Sequence, residues 1–182
     1  FIDATPYLKL YDTDARSFAE RLRNAVFERT RICATAGIGS NLFLAKVALD
    51  IGAKHAKDGI GVLDEESFHR TIWPHRPITD IWGIGPGIAA RLAKYGVHDL
   101  MGVEQILYRE FGVNAEYLID HAFGREPTTI AEIQAYKPSA SSYMNGQVLP
   151  EGYAVEDAHT ILKEMVDASV LELVERHEVC EH

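Results

Sequence analysis

The chain has 182 residues, of which 47% are hydrophobic and 25% charged, and its formal net charge is −9. This length and apolar fraction are enough for a buried core, and they exclude intrinsic disorder as a description of the whole chain. Two cysteines cannot build a disulfide framework. No run of about 18 apolar residues is present to span a membrane. We therefore expect a cytoplasmic protein with no membrane partner.

The negative net charge argues against a protein that coats nucleic acids non-specifically, because such binding relies on Lys and Arg side chains that neutralise phosphates and release their counterions. The charge is unevenly distributed, however. Residues 1–62 carry nine basic and seven acidic side chains, whereas residues 131–182 carry three and ten. The first part of the chain therefore remains a candidate partner for a polyanion. No signal peptide is visible in the residues that follow Phe1, and both ends are typical of a piece of a longer protein.

The first 63 residues alternate between strand and helix patterns, which predicts an α+β unit. The predicted elements are a strand ending near Pro6 within residues 1–11, a helix over 14–29, a strand over 31–38, a helix over 41–54 and a strand over 61–63. Cys33 is expected to be a small buried hydrophobe in its strand. Ser40 is expected to cap the second helix.

From residue 64 the pattern becomes helical, beginning with a short helix up to Trp73. Four aromatic residues are expected in the core of this helical segment, with base stacking as the alternative: Trp73, Trp82, Phe111 and Phe123. The periodicity fades over 127–138, which predicts a linker. A strand edge over 139–149 and a long amphipathic helix over 155–177 are expected to follow.

Residues 78–96 contain the most informative pattern, Gly83-Ile84-Gly85-Pro86. Two glycines around one apolar residue allow a tight turn, and proline suits the first turn of the next helix. Free amides at such a turn, at the positive end of a helix dipole, can cradle one phosphate without contacting bases. The pattern resembles a helix-hairpin-helix motif. An ordinary glycine-rich connector between helices is the alternative interpretation.

A second glycine turn lies earlier in the chain and precedes a predicted helix. In order, the stretches are Phe1-Ile2-Asp3-Ala4-Thr5, Gly37-Ile38-Gly39-Ser40-Asn41, Leu44-Ala45-Lys46, Ala53-Lys54 and Asp58-Gly59. With the hairpin-like region downstream, this order resembles the Y-family translesion DNA polymerases of the UmuC/DinB (ImpB/MucB/SamB) type. Two short sequences favour a UmuC-like member of this family, Ala53-Lys54-His55 and Asn145-Gly146-Gln147-Val148-Leu149.

The resemblance implies a partial palm over 1–63, a helical thumb over 64–126 with the helix-hairpin-helix at 78–96, a linker over 127–138 and the start of a little-finger domain over 139–182. It implies sequence-independent binding of primer-template DNA. The residues it suggests for DNA binding are Gly83, Ile84, Gly85, Gly87, Arg91, Lys94, Ser139, Ser141 and Ser142. Lys54 is expected to contact the triphosphate of an incoming dNTP, with Lys57 as the reserve choice and a solvated surface lysine as the alternative.

The same resemblance places the family's metal-binding carboxylates upstream of Phe1. Two-metal phosphoryl transfer needs such carboxylates to hold Mg²⁺, so no catalytic or metal residue is expected in this chain. Asp3 is expected to be structural, and Asp12 and Asp14 to cap the following helix. The longer protein would be a DNA-directed DNA polymerase acting in repair, with Mg²⁺ as cofactor. A sliding clamp or an activator subunit is its candidate partner. The chain alone is expected to be inactive.

Two other functions remain open. One is a catalytically dead polymerase homologue that acts as a repair scaffold, and the other is a stand-alone helix-hairpin-helix DNA-binding module. The spacing of His177, Cys180 and His182 is compatible with a metal site. Zn²⁺ requires three or four fixed ligands, however, so no metal site is expected there.

Overall fold

The computed structural model describes residues 1–101, 104–138 and 142–179. The elements are α1 (Thr5–Leu10), α2 (Ala15–Thr30), β1 (Ala36–Gly39), α3 (Leu42–Val47), β2 (Ile60–Leu63), α4 (Glu65–Thr71), α5 (Pro86–Ala93), α6 (Glu104–Phe111), α7 (Asn114–Ala122), α8 (Ile130–Ala135) and α9 (Val155–Glu175). A π-helical turn (Ala48–Ala53) continues α3, and a 3-10 turn (Ile78–Asp80) precedes α5. The chain divides into two units, Phe1–Ala135 and Tyr136–His182.

The two strands pair in parallel, and α3 lies directly on their glycine-rich face. A Cβ atom on Gly37 would lie 2.1 Å from the carbonyl oxygen of Ala45 in α3. One on Gly61 would lie 2.0 Å from the carbonyl oxygen of Ala48. Because real Cβ atoms do not approach a backbone oxygen so closely, only glycine permits this helix to pack against these strands.

One hydrophobic core connects the α/β segment (residues 1–63) with the helical segment (residues 64–126). Its buried members are Phe43, Leu44, Val47, Ala48, Leu63, Phe68, Ile72, Ile78, Ile81, Ile84, Leu92 and Val97. Burying each large apolar side chain contributes about 1.5–3 kcal/mol. Since α3, β2, α4 and α5 all contribute to this cluster, the hairpin-like region is packed on the α/β segment through its own core residues.

The N-terminal prediction was wrong, because Thr5–Leu10 forms a helix rather than a strand. Pro6 lies in the first turn of this helix, where its missing N–H costs nothing. Tyr7 and Tyr11 then stack on Phe18 of α2, with ring centroids 6.3 and 6.0 Å apart. These stacks hold α1 against α2.

The strand predicted over 31–38 is confirmed only in its last part, since β1 begins at Ala36. Cys33 lies before it and is exposed, so its predicted burial was wrong. Asn41, not Ser40, caps α3, because its side-chain oxygen accepts from the amide of Leu44 at 2.8 Å. The helix predicted over 41–54 forms, but its second half widens into the π-helical turn.

The helices predicted over 14–29, in the Glu65–Trp73 stretch and over 155–177 are confirmed as α2, α4 and α9. Asp14 caps α2, as predicted, and its carboxylate accepts from the amides of Arg16 and Ser17, whereas the predicted capping by Asp12 was wrong. The expected linker contains α8. The described part of the strand predicted over 139–149, residues 142–149, has no regular secondary structure; residues 139–141 lie outside the described residues.

Candidate nucleic-acid interface

The glycine turn before α5 is built on two buried isoleucines. Ile81 and Ile84 are 2% and 6% exposed and belong to the core cluster. Between them, Gly83 has a φ of +89°, a conformation that L-residues with side chains rarely adopt. The turn predicted from the Gly-Ile-Gly pattern is therefore formed, with Ile84 as its anchor. The element in front of it is a single 3-10 turn rather than an α-helix.

The outer surface of this turn is open. Gly85 occupies the N-cap position of α5 with extended backbone, and no side chain caps the helix. A Cβ atom on Gly83, Gly85 or Gly87 would meet no other atom within 4 Å. Since the first amides of a helix have no partner within the helix, the N-terminus of α5 presents uncapped N–H groups at the positive end of its dipole.

Arg91 in α5 and Lys94 at its C-cap differ in their surroundings. The guanidinium of Arg91 lies 3.9 Å from the ring centroid of Phe111 and donates to the carbonyl oxygen of Glu110, so it ties α5 to α6. Lys94 is exposed at the C-terminal end of α5. It is seven residues beyond Gly87, which places the two Cα atoms about 10 Å apart along the helix.

The aromatic residues predicted to form the core of the helical segment do so with one exception. Trp73 and Phe111 pack against the core cluster, and Phe123 packs edge-on against Trp73 with ring centroids 5.9 Å apart. Trp82 is 43% exposed, so its predicted burial was wrong. It directly precedes the turn at Gly83, where the backbone carries its side chain out of the core.

Lys54 lies at the end of the π-helical turn and is mostly exposed. Its ammonium group is 3.1 Å from a carboxylate oxygen of Asp50, and Lys46 pairs with the same carboxylate at 2.9 Å. Burial opposes ionisation of Asp50, but hydrogen bonds and charge from the two lysines outweigh it and hold its pKa below the ordinary value. Lys57 is exposed on the loop that follows.

The remaining predicted site residues are less informative. Ser142 is exposed, and Ser139 and Ser141 lie outside the described residues. So do Cys180 and His182, while His177 is exposed. Within residues 1–101, 104–138 and 142–179, no group of three or more His, Cys, Asp or Glu side chains is placed to hold a metal ion. None of the helices described is both long and apolar enough to cross a membrane.

Sequence reasoning missed the contacts at the C-terminal end of α7, where the helical segment meets the α/β segment. The Asn41 side chain donates to the carbonyl oxygen of Gly124 at 2.7 Å, and Trp73 Nε1 donates to that of Ala122 at 2.5 Å. The imidazole of His121 stacks on Phe43, with ring centroids 4.2 Å apart. We call these contacts the α7 joint. Asn41 has a weak sequence signal, since it follows a glycine turn, whereas nothing around His121 indicates its partner.

Residues 1–50, which contain α1, α2, β1 and α3, match the model of the impB/mucB/samB family. The predicted resemblance to Y-family translesion polymerases is thereby confirmed, and the UmuC-like subtype stays a prediction.

Relatives support the same resemblance. The chain is 27% identical over 160 residues to the putative UV-damage repair protein UvrX of Bacillus subtilis, and this match covers 85% of this chain and 38% of UvrX. It is 28% identical over 185 residues to DNA polymerase IV 2 of the same organism, covering 99% of this chain and 42% of that protein. The chain therefore spans about two fifths of the length of these two relatives.

A solved structure of DinB from Sulfolobus solfataricus matches 61% of this chain and 33% of its own, at 27% identity and a TM-score of 0.50. The α+β architecture of the chain is therefore similar to that of DinB.

Proposed function

We propose that the chain is part of a Y-family DNA polymerase that acts in translesion synthesis, and that its glycine turn holds a phosphate of primer-template DNA. In this assignment residues 1–63 belong to the palm, residues 64–126 form the thumb and the second unit begins the little finger. The names of the relatives, a DNA polymerase IV and a UV-damage repair protein, support a role in DNA repair.

The observation that carries the DNA-binding proposal is the open, uncapped N-terminus of α5. Three glycines at positions 83, 85 and 87 leave the space in front of it empty. A phosphate oxygen that entered this space would accept hydrogen bonds from backbone amides and lie at the positive end of the helix dipole. Such a contact reads no base, so binding is independent of sequence.

This mode of binding fits the charge of the chain. Backbone amides carry no net charge, so a protein with a formal charge of −9 can still hold a phosphate at this turn. Lys94, at the C-cap of α5, is the cation placed to add a second contact, whereas Arg91 is engaged with α6. We therefore propose that Lys94 contributes more to DNA affinity than Arg91.

Lys54 is proposed to contact the triphosphate of a bound dNTP in the intact polymerase. Its exposed ammonium group and its flexible stem suit a point-charge contact with phosphate. Because Asp50 holds it at 3.1 Å in the free chain, the lysine would exchange a carboxylate partner for a phosphate partner. Lys57, which is also exposed, is the second candidate.

Mg²⁺ would be required by the intact polymerase, where it would activate the primer hydroxyl and stabilise the leaving pyrophosphate. The described side chains do not form a set that fits this ion.

A titration with primed duplex DNA tests the proposal. Gly85 has a φ of −79° and open space around it, so valine fits there without strain in the free protein. We expect Gly85→Val to fold like the parent chain and to lose at least tenfold in DNA affinity, since one charge-assisted hydrogen bond contributes about 1.5–3 kcal/mol. Gly152→Val, at an equally open glycine in the second unit, is the matched control. Equal affinity of Gly85→Val and the parent chain would refute the hairpin assignment.

A further inference from the structure

The imidazole of His121 lies between the α/β segment and the glycine turn. It stacks on Phe43 of α3, with ring centroids 4.2 Å apart and ring planes 7° from parallel. Phe43 is fully buried and also packs edge-on against Phe68 at 5.7 Å. The position of the His121 ring is therefore tied to a rigid part of the core.

The ring of Trp82 also lies close to His121, with ring centroids 6.0 Å apart and ring planes tilted by 39°. This distance is within the range in which aromatic pairs attract each other. Trp82 immediately precedes Gly83, the first glycine of the turn, and is itself 43% exposed. Its contact with His121 thus joins the turn to α7.

Glu126 fixes the orientation of the imidazole. Its carboxylate lies 3.0 Å from His121 Nε2 and accepts from the amide of Thr128 at 2.8 Å. Burial opposes ionisation of Glu126, yet these hydrogen bonds outweigh it and hold its pKa below the ordinary value. The side chains of His121 and Glu126 are only 16% and 9% exposed. A buried carboxylate thus holds the ring flat against Phe43.

We propose that His121 is a positioning residue for DNA binding, which sets the glycine turn relative to α3 through Trp82. The inference rests on the proposed function, because it concerns how the amides of that turn are held in place. A turn whose first glycine has a positive φ has few constraints of its own beyond the buried Ile81 and Ile84. The stack from Phe43 through His121 to Trp82 supplies a second constraint from the core. Hydrogen-bonding sites lose affinity when their donors are displaced by even a fraction of an ångström.

The test uses the full 182-residue chain, primed duplex DNA and three variants. His121→Leu removes both the flat ring and the contact with Glu126, and Trp82→Leu removes the link on the exposed side. Each is expected to weaken DNA binding about three- to tenfold, which corresponds to the loss of one aromatic pair. His121→Phe keeps the ring and should recover most of the affinity lost in His121→Leu. Tyr117→Leu, at an exposed aromatic residue of the same helix, is the control.

A double-mutant cycle separates positioning from simple stability. If His121 acts through Trp82, then adding Trp82→Leu to His121→Leu costs little further affinity, because the two residues form one link. If the fold-losses in DNA affinity of the two single variants multiply in the double variant, Trp82 contacts DNA independently and the positioning role is wrong. Should His121→Leu fail to fold, Trp82→Leu still tests the link, since Trp82 is largely outside the core, and unchanged affinity of that variant overturns the proposal.

The two proposals fail in different ways. If Gly85→Val loses affinity while His121→Leu and Trp82→Leu both bind DNA like the parent chain, the glycine turn is the DNA site and His121 does not position it. If Gly85→Val also binds normally, the DNA site lies elsewhere, and the inference about His121 falls with it.

Discussion

The side-chain Nδ2 of Asn41 donates a hydrogen bond to the carbonyl oxygen of Gly124 at 2.7 Å. The Oδ1 atom of the same side chain accepts from the amide of Leu44 and caps α3. One amide group therefore begins a helix of the α/β segment and holds the end of α7. Gly124 is buried with a φ of +72°, and a Cβ there would lie 3.1 Å from the ring of Phe68. The α7 joint is thus closely packed as well as hydrogen-bonded.

Substitutions at Asn41 should separate its two roles. Asn41→Ser keeps a good N-cap but is too short to reach Gly124, so we expect a loss of about 1 kcal/mol in the free energy of unfolding. Asn41→Ala loses both contacts and should cost about 2 kcal/mol. Urea unfolding of both variants at neutral pH checks this order. Equal stability of the two would contradict the separate contribution of the bond to Gly124.

Glycine-to-alanine substitutions should have opposite outcomes in two parts of the chain. Gly37→Ala forces a Cβ to within 2.1 Å of a backbone oxygen of α3, so the helix must separate from the strands. We expect a loss of more than about 3 kcal/mol or failure to fold. Gly87→Ala adds a methyl group in open space within α5, and the helix propensity of alanine predicts equal or slightly greater stability. Thermal unfolding monitored by circular dichroism distinguishes the two.

The buried carboxylate of Glu126 predicts a component of acid sensitivity. Because folding lowers its pKa, its stabilising effect is complete above the unfolded value of about 4.3 and is lost as the pH falls through the lower, folded value. Glu126→Gln cannot ionise but keeps an acceptor for Thr128. We expect its unfolding temperature to fall less than that of the parent chain between about pH 5 and pH 3. Glu116→Gln, at an exposed position of α7, should leave the parent pH dependence unchanged.

Primer extension tests the expectation that the chain has no polymerase activity of its own. The family resemblance assigns the Mg²⁺ carboxylates to no residue of this sequence, and transfer of a nucleotide requires them. With Mg²⁺, all four dNTPs and primed DNA, the 182-residue chain should leave the primer unextended while still binding the duplex. A DNA polymerase IV serves as the positive control. Extension of the primer would show that the expectation is wrong.

The sequence predicted most helices because their apolar spacing and caps are local signals. The Gly-Ile-Gly turn could be recognised for the same reason, because glycine allows the tight turn and the proline that follows suits the first turn of a helix. The N-terminal helix was missed because its stability comes from stacking of Tyr7 and Tyr11 on Phe18, which periodicity does not reveal. The α7 joint was missed because Asn41 and Gly124 are far apart in the chain. Contacts of that kind depend on the tertiary fold.

The central claim is that backbone amides of the glycine turn, rather than basic side chains, hold the phosphate. The salt dependence of DNA affinity tests it most directly. Replacing a cation that contacts phosphate reduces the slope of log affinity against log salt by about 0.9, because fewer counterions are released. The account predicts that Gly85→Val lowers affinity at every salt concentration with the slope unchanged, while Lys94→Ala reduces the slope. If Gly85→Val kept full DNA affinity and binding were lost only when basic side chains such as that of Lys94 are replaced, the central claim would be contradicted.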